Sequence, residues 1–155
     1  MDKAEAYRQL TEEIVSVVAG ETCDTARYAS AACLLTLAFR PRFFWTGFYL
    51  VDPLKPDELV VGPYQGTLGC LRIPFGKGVC GHVAATLKPI IVPDVHEFPG
   101  HIACDSASNS EIVVPVFKAD GTLAAVLDVD STEYDAFDEI DQAGLVEICR
   151  ILLTA

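Results

Sequence analysis

The chain has 155 residues, 51% hydrophobic and 21% charged. That balance fits one globular domain with a full core and excludes a disordered chain. Eleven lysines and arginines oppose twenty-two aspartates and glutamates, and the net charge of −11 argues against nucleic acid and anionic membrane surfaces as partners.

The first two segments read as helices. Residues 3–18 place Ala6, Leu10, Ile14 and Val17/Val18 at three- and four-residue steps, with Gly20 as the stop. Thr22 or Asp24 is the expected cap of a second helix over about 25–39, apolar on most faces, which Pro41 ends. FFWTGFYLV at 43–51 is aromatic and β-branched and predicts a strand. The prolines of VDPLKPDE predict a loop, followed by strands in ELVVGPYQ (58–65) and LRIPF (71–75). GVCGHVAATLK (78–88) reads as a short helix and PIIVPDV (89–95) as a strand. Residues 96–109 show neither period and form a long polar loop of the kind more often functional than incidental. EIVVPVF (111–117) and TLAAVLDVD (122–130) are two more strands joined by KADG, and FDEIDQAGLVEICRILL closes as a helix started by Asp138. The order predicts an α+β fold with a mainly antiparallel sheet. One domain over 1–155 is expected, helical over 1–40, with the sheet, the loops and the last helix over 41–155.

AACLLTLAF (31–39) is too short to span a bilayer, and the opening MDKAEAYRQLTEE is too acidic for an export signal, so a cytoplasmic location is expected. Six cysteines in such a chain are thiols by default. Cys33 and Cys149 lie in apolar helical runs and read as packing residues, and Cys23 as a surface residue. Cys70, Cys80 and Cys104 each lie in a glycine-rich or polar segment. Metal ligation through Cys80-x-His82 and His101-x2-Cys104 does not match common zinc spacings, and no metal or cofactor is expected. Thiol redox chemistry fits better. One thiol attacks an oxidised substrate and becomes a sulfenic acid, and a second condenses with it to a disulfide. A separate signal is acidic: Asp128 and Asp130 alternate along one strand and share a face, and Glu111 opens the strand after the cysteine loop. Such a set is either a solvated sheet edge or a site for an ammonium group and a proton-holding carboxyl.

WTGFYL (45–50), GPYQG (62–66), CLRIPFGKGVCG (70–81), PDVHEFPGHIACDSASNSEIVVPV (93–116) and GTLAAVLDVDSTEYDAFDEIDQAGL (121–145) resemble the free methionine-(R)-sulfoxide reductase family, which has a GAF-domain fold. The resemblance runs from about Trp45 to the C-terminus. It includes the spacing of the three cysteines, which stand ten and twenty-four positions apart. It implies a six-stranded antiparallel sheet flanked by helices, reduction of the free amino acid, and thioredoxin as the usual reductant. It implies Cys104 as attacking thiol, Cys70 as resolving partner and Cys80 as an auxiliary thiol. Glu111, Asp128 and Asp130 match the family's acidic substrate pocket, and Trp45 and Tyr49 its aromatic wall.

The chemistry of free methionine sulfoxide suits this set. Thiolate attack on its sulfur needs a proton on the departing oxygen, carboxylates hold the ammonium, and a peptide-bound residue, lacking that ammonium, leaves them unpaired. An aromatic face accommodates the S-methyl group and distinguishes the epimers. Two rival readings stand beside reduction: a GAF module that binds a small ligand without turnover, and a thiol redox sensor. A homodimer is compatible with each.

Overall fold

A computed structural model describes residues 1–155. The chain forms α1 (Lys3–Val18), α2 (Asp24–Phe39), β1 (Trp45–Asp52), β2 (Lys55–Gln65), β3 (Arg72–Pro74), α3 (Gly78–Thr86), β4 (Ile90–Val92), a 3-10 turn (Val95–Glu97), β5 (Ser110–Phe117), β6 (Leu123–Ser131) and α4 (Glu139–Leu152). The strands make one six-stranded sheet in the order β3-β2-β1-β6-β5-β4, and every pairing is antiparallel. This is the α+β architecture expected from the element order. No helix is long and apolar enough to cross a membrane.

Strand alternation sorts side chains onto two unlike faces. Phe48 on β1, Ile112, Val114 and Val116 on β5, and Ala125, Leu127 and Val129 on β6 point one way. There they meet Tyr7, Leu10, Ile14 and Val18 of α1, Ala31 and Leu35 of α2, and Leu145 and Ile148 of α4. Trp45, Tyr49, Val113 and Val126 point the other way, into a smaller apolar layer with Val79, Cys80, Val83 and Ala84 of α3. The larger layer holds most of the buried apolar area, and each fully buried aliphatic side chain there contributes about 1.5–3 kcal/mol.

The helices are pinned to this frame by polar contacts. Asp2 caps α1 by accepting from the Glu5 amide at 2.8 Å. Asp138 caps α4 in a capping box with Asp141. Asp141 is fully buried, but its carboxylate accepts from Tyr7 Oη at 2.7 Å and Lys3 Nζ at 2.9 Å and lies 3.1 Å from Arg42 Nη1. Arg27, also buried, donates to the carbonyls of Glu21, Leu152 and Ala155 and so satisfies the C-terminal end of α4.

Two local expectations are corrected. Neither Thr22 nor Asp24 caps α2: Cys23 is the cap residue and makes no side-chain bond, while Glu21 Oε1 accepts from its amide at 3.0 Å. The segment read as a proline loop is mostly strand, because β2 starts at Lys55. Pro56 is tolerated there because the β1 register jumps from Asp52↔Lys55 to Val51↔Leu59, and pairing with β3 begins only at Glu58.

Candidate active site

The register builds the site. Trp45 on β1 stands opposite Asp130 on β6, and Asp130 stands opposite Glu111 on β5. One row further, Gly47, Asp128 and Val113 line up in the same way. All these residues share the α3 face. The three carboxylates are therefore carried by β5 and the central strand β6, and the solvated-edge alternative is excluded. Asp128 and Glu111 are each only 5% exposed, and Asp130 is half-buried.

Burial on an apolar face disfavours the ionised carboxyls, and their closeness adds to the effect. Burial, then the charge of Asp130, pushes the Glu111 carboxyl well above the ordinary carboxylate range. Burial, then Glu111, does the same to Asp128. Burial, then Asp128, raises Asp130. Nε2 of His101 lies 3.4 Å from Oε1 of Glu111. Burial holds that imidazole below its ordinary value, so this contact joins two groups that both resist charge. Oδ1 of Asp128 is buried with no hydrogen-bond partner. An unpaired buried acceptor is costly, and this one lies in a residue that lines the cavity.

The wall opposite is aromatic. Trp45 stacks on Tyr49 at 5.6 Å and on Tyr64 at 5.0 Å between ring centroids, and its indole N–H donates to the Thr67 carbonyl at 2.8 Å. Gly47 makes the stack possible: a Cβ there would stand 2.2 Å from Tyr64 Cβ and 2.7 Å from the Trp45 ring. Burial raises the Tyr49 hydroxyl further above its ordinary value, so it stays a protonated donor.

The cysteines occupy three levels. Cys70 and Cys104 form a disulfide with a Cα separation of 5.3 Å, which joins the loop after β2 to the long loop before β5. Cys104 is exposed and Cys70 half-buried. The same two loops are tied by Thr67 Oγ1, which donates to Asp105 Oδ2 at 2.7 Å. Asp105 also accepts from the Ala107 amide, and the two bonds hold its carboxyl below the ordinary range. Cys80, for all its glycine-rich surroundings, lies off the surface. It is 3% exposed, in the first turn of α3, and packs against the sheet. Burial and then the Asp128 charge push its thiol well above the ordinary value. Cys23 is exposed, Cys149 buried in the larger core and Cys33 half-buried.

One cavity collects Trp45, Tyr49, Cys80, Cys104, Glu111, Asp128 and Asp130, all eight predicted site residues except Cys70, which borders it through its bond to Cys104. His101, Ile102 and Ser108 also line it, as do Gly78 and Val79 at the start of α3. The sequence singled out His101 only as half of a metal pair, and the others lie in the runs that carry the family resemblance but were given no role. Of the other three supposed ligands, Cys80 and Cys104 line the same cavity, while His82 is exposed against Phe98. Arg72, near Cys70 in sequence, is ion-paired with Asp52.

A GAF-domain family model matches residues 5–155. The free methionine-R-sulfoxide reductase of Escherichia coli is 43% identical over 96% of this chain and 87% of its own. That of Saccharomyces cerevisiae is 36% identical over 98% and 86%. Among solved structures, the Neisseria meningitidis free methionine-R-sulfoxide reductase in complex with its substrate superposes with a TM-score of 0.93. It is 50% identical, covering 99% of this chain and 89% of that one.

Proposed function

Because the chain belongs to the GAF-domain family and, within it, to the free methionine-R-sulfoxide reductases, we propose that it reduces free methionine-R-sulfoxide to methionine at the cavity between β6 and α3. The observation that carries this reading is the Cys70–Cys104 pair at the mouth of a cavity lined by three carboxyls and an aromatic wall.

The substrate's ammonium sits on Asp128 and Asp130, and the unpartnered Oδ1 of Asp128 accepts from it. The substrate carboxylate faces the first turn of α3, where a helix N-terminus presents free amide N–H groups. The S-methyl group lies on Trp45 and Tyr49. Glu111 holds a proton because burial favours its neutral form, and it donates that proton to the sulfoxide oxygen. The Cys104 thiolate attacks the sulfur. The oxygen passes to Sγ as the new Sγ–sulfur bond breaks, so methionine leaves with that bond's electron pair on its sulfur and Cys104 is left as a sulfenic acid. The Cys70 thiol condenses with it, releasing water and forming the disulfide. The balance is one sulfoxide and two thiols converted to one sulfide, one disulfide and one water.

A dithiol protein of the thioredoxin type reopens the disulfide. Cys104 is exposed, and Leu68 and Leu71 flank Cys70 at 79% and 70% exposure, giving such a protein an apolar approach. A reducing cytoplasm suits this cycle and the four remaining thiols. The test is thiol-dependent loss of free methionine-R-sulfoxide, with the S epimer and a peptide-bound sulfoxide as controls. Stoichiometric binding without turnover would instead identify a small-ligand binding module.

A further inference from the structure

The floor of the cavity sets a thiol that the reduction does not use beside two of the carboxyls that it does. Sγ of Cys80 and carboxylate oxygens of Glu111 and Asp128 all lie within 4.8 Å of one another, and all three residues are buried. Each is supplied by a different rigid element: α3, β5 and β6. Asp128 is 5% exposed, and its Oδ1 has no hydrogen-bond partner, so a buried acceptor stands ready for a cation. One thiolate and two carboxylates suit a borderline-soft divalent ion of the zinc class better than magnesium or calcium, which prefer oxygen alone. Three protein ligands leave a fourth tetrahedral position, and here it opens on the cavity, where water can fill it.

We propose that Cys80, Glu111 and Asp128 form a binding site for a zinc-class divalent cation, which competes with the substrate ammonium for the floor of the cavity. Binding forms one metal–sulfur and two metal–oxygen bonds and releases to solvent the thiol proton and any proton that the two carboxyls hold, with no change of oxidation state. The ligand set is not the one the sequence spacing offered, because His82 points away and Cys104 is held by Cys70. The competition rests on the substrate placement proposed above; the metal site itself does not.

The experiment uses the full chain with the Cys70–Cys104 disulfide intact, so that neither of those thiols binds metal. Cadmium chloride is titrated while the thiolate-to-cadmium absorbance is followed, and zinc chloride is titrated by calorimetry. One equivalent should bind with a thiolate signal. Cys80→Ala should abolish the signal, Asp128→Asn should weaken binding at least tenfold, and Cys23→Ser should leave both unchanged. Asp128→Asn preserves side-chain volume and guards against a folding failure in Cys80→Ala, with circular dichroism checking both. Absence of a stoichiometric site, a signal that survives Cys80→Ala, or one lost in Cys23→Ser overturns the proposal. Methionine sulfoxide, which the disulfide form cannot reduce, should raise the apparent metal Kd in proportion to its concentration. Tight binding that ignores it upholds the metal site and overturns the substrate placement.

Discussion

The hydroxyl of Thr67 donates to the carboxylate of Asp105 at 2.7 Å, so the loops that carry Cys70 and Cys104 are joined by a bond independent of the disulfide. In the mechanism proposed above, such a tie holds the resolving thiol near the sulfenic acid before the two condense, which raises its effective concentration. Thr67→Val should leave the first turnover intact and slow the condensation by about 2- to 10-fold, the value of about 0.5–1.5 kcal/mol for one hydrogen bond. Rapid quenching with a sulfenic-acid trap reads this directly. An unchanged sulfenic-acid lifetime would remove Thr67 from the mechanism.

The thiol roles separate by single turnover. Cys104→Ser should release no methionine, because the nucleophile is gone. Cys70→Ser should release about one methionine per site and then recycle poorly with thioredoxin. Cys33→Ser and Cys149→Ser should change stability more than rate. Loss of the first turnover in Cys80→Ser, with Cys104→Ser still active, would transfer the attacking role to Cys80.

Asp128→Asn should harm function and help folding. Its native proton affinity is raised by burial and Glu111, so the stability it lends is fully present below its unfolded value of about 4 and is lost as pH rises through the native value. The variant and parent should therefore be close in stability near pH 4. Toward pH 7 the variant should gain about 1 kcal/mol or more, a rise of about 2–4 °C in Tm. Its KM for the sulfoxide should rise about 10- to 100-fold through loss of the ammonium contact. Glu111→Gln should instead lower kcat by about 100-fold, as removal of a proton donor does. Denaturant unfolding at the two pH values, beside steady-state kinetics, checks both signs. A variant destabilised at pH 7 contradicts the electrostatic account.

Gly47→Ala tests the aromatic wall. The new Cβ would press on Tyr64 Cβ, an atom fixed to the backbone, and on the Trp45 ring. The variant should lose about 1–3 kcal/mol of stability and bind the sulfoxide more weakly. Trp45 is the single tryptophan of the chain, so its fluorescence reports the broken stack without ambiguity.

Much of this was legible in the sequence where a period or a cap decides the matter. Asp128 and Asp130 share a face because strands alternate, and Asp138 starts α4 because its side chain serves the first free amides. Strand order was not legible from residue pattern alone: that Asp130 meets both Trp45 and Glu111 follows from β6 lying between β1 and β5. The burial of Cys80 was hidden by its glycine-rich surroundings. Those glycines bring α3 down onto the sheet, and at Gly81 a Cβ would stand 2.3 Å from the Pro74 carbonyl oxygen. The strand at Lys55 was hidden by Pro56, because a missing amide at a register break costs no ladder bond.

The position of β6 has one more consequence. It is paired along both edges, and hydrogen exchange from such a strand requires opening of the core, whereas the loops at 66–71 and 98–109 carry few ladder bonds. Under the placement proposed above, the amino acid is anchored to a strand paired along both edges, and electrons pass through loops with few ladder bonds. Redox cycling can rearrange the thiol loops while the grip on the substrate's charged end keeps its shape, so each new turnover meets an unaltered seat.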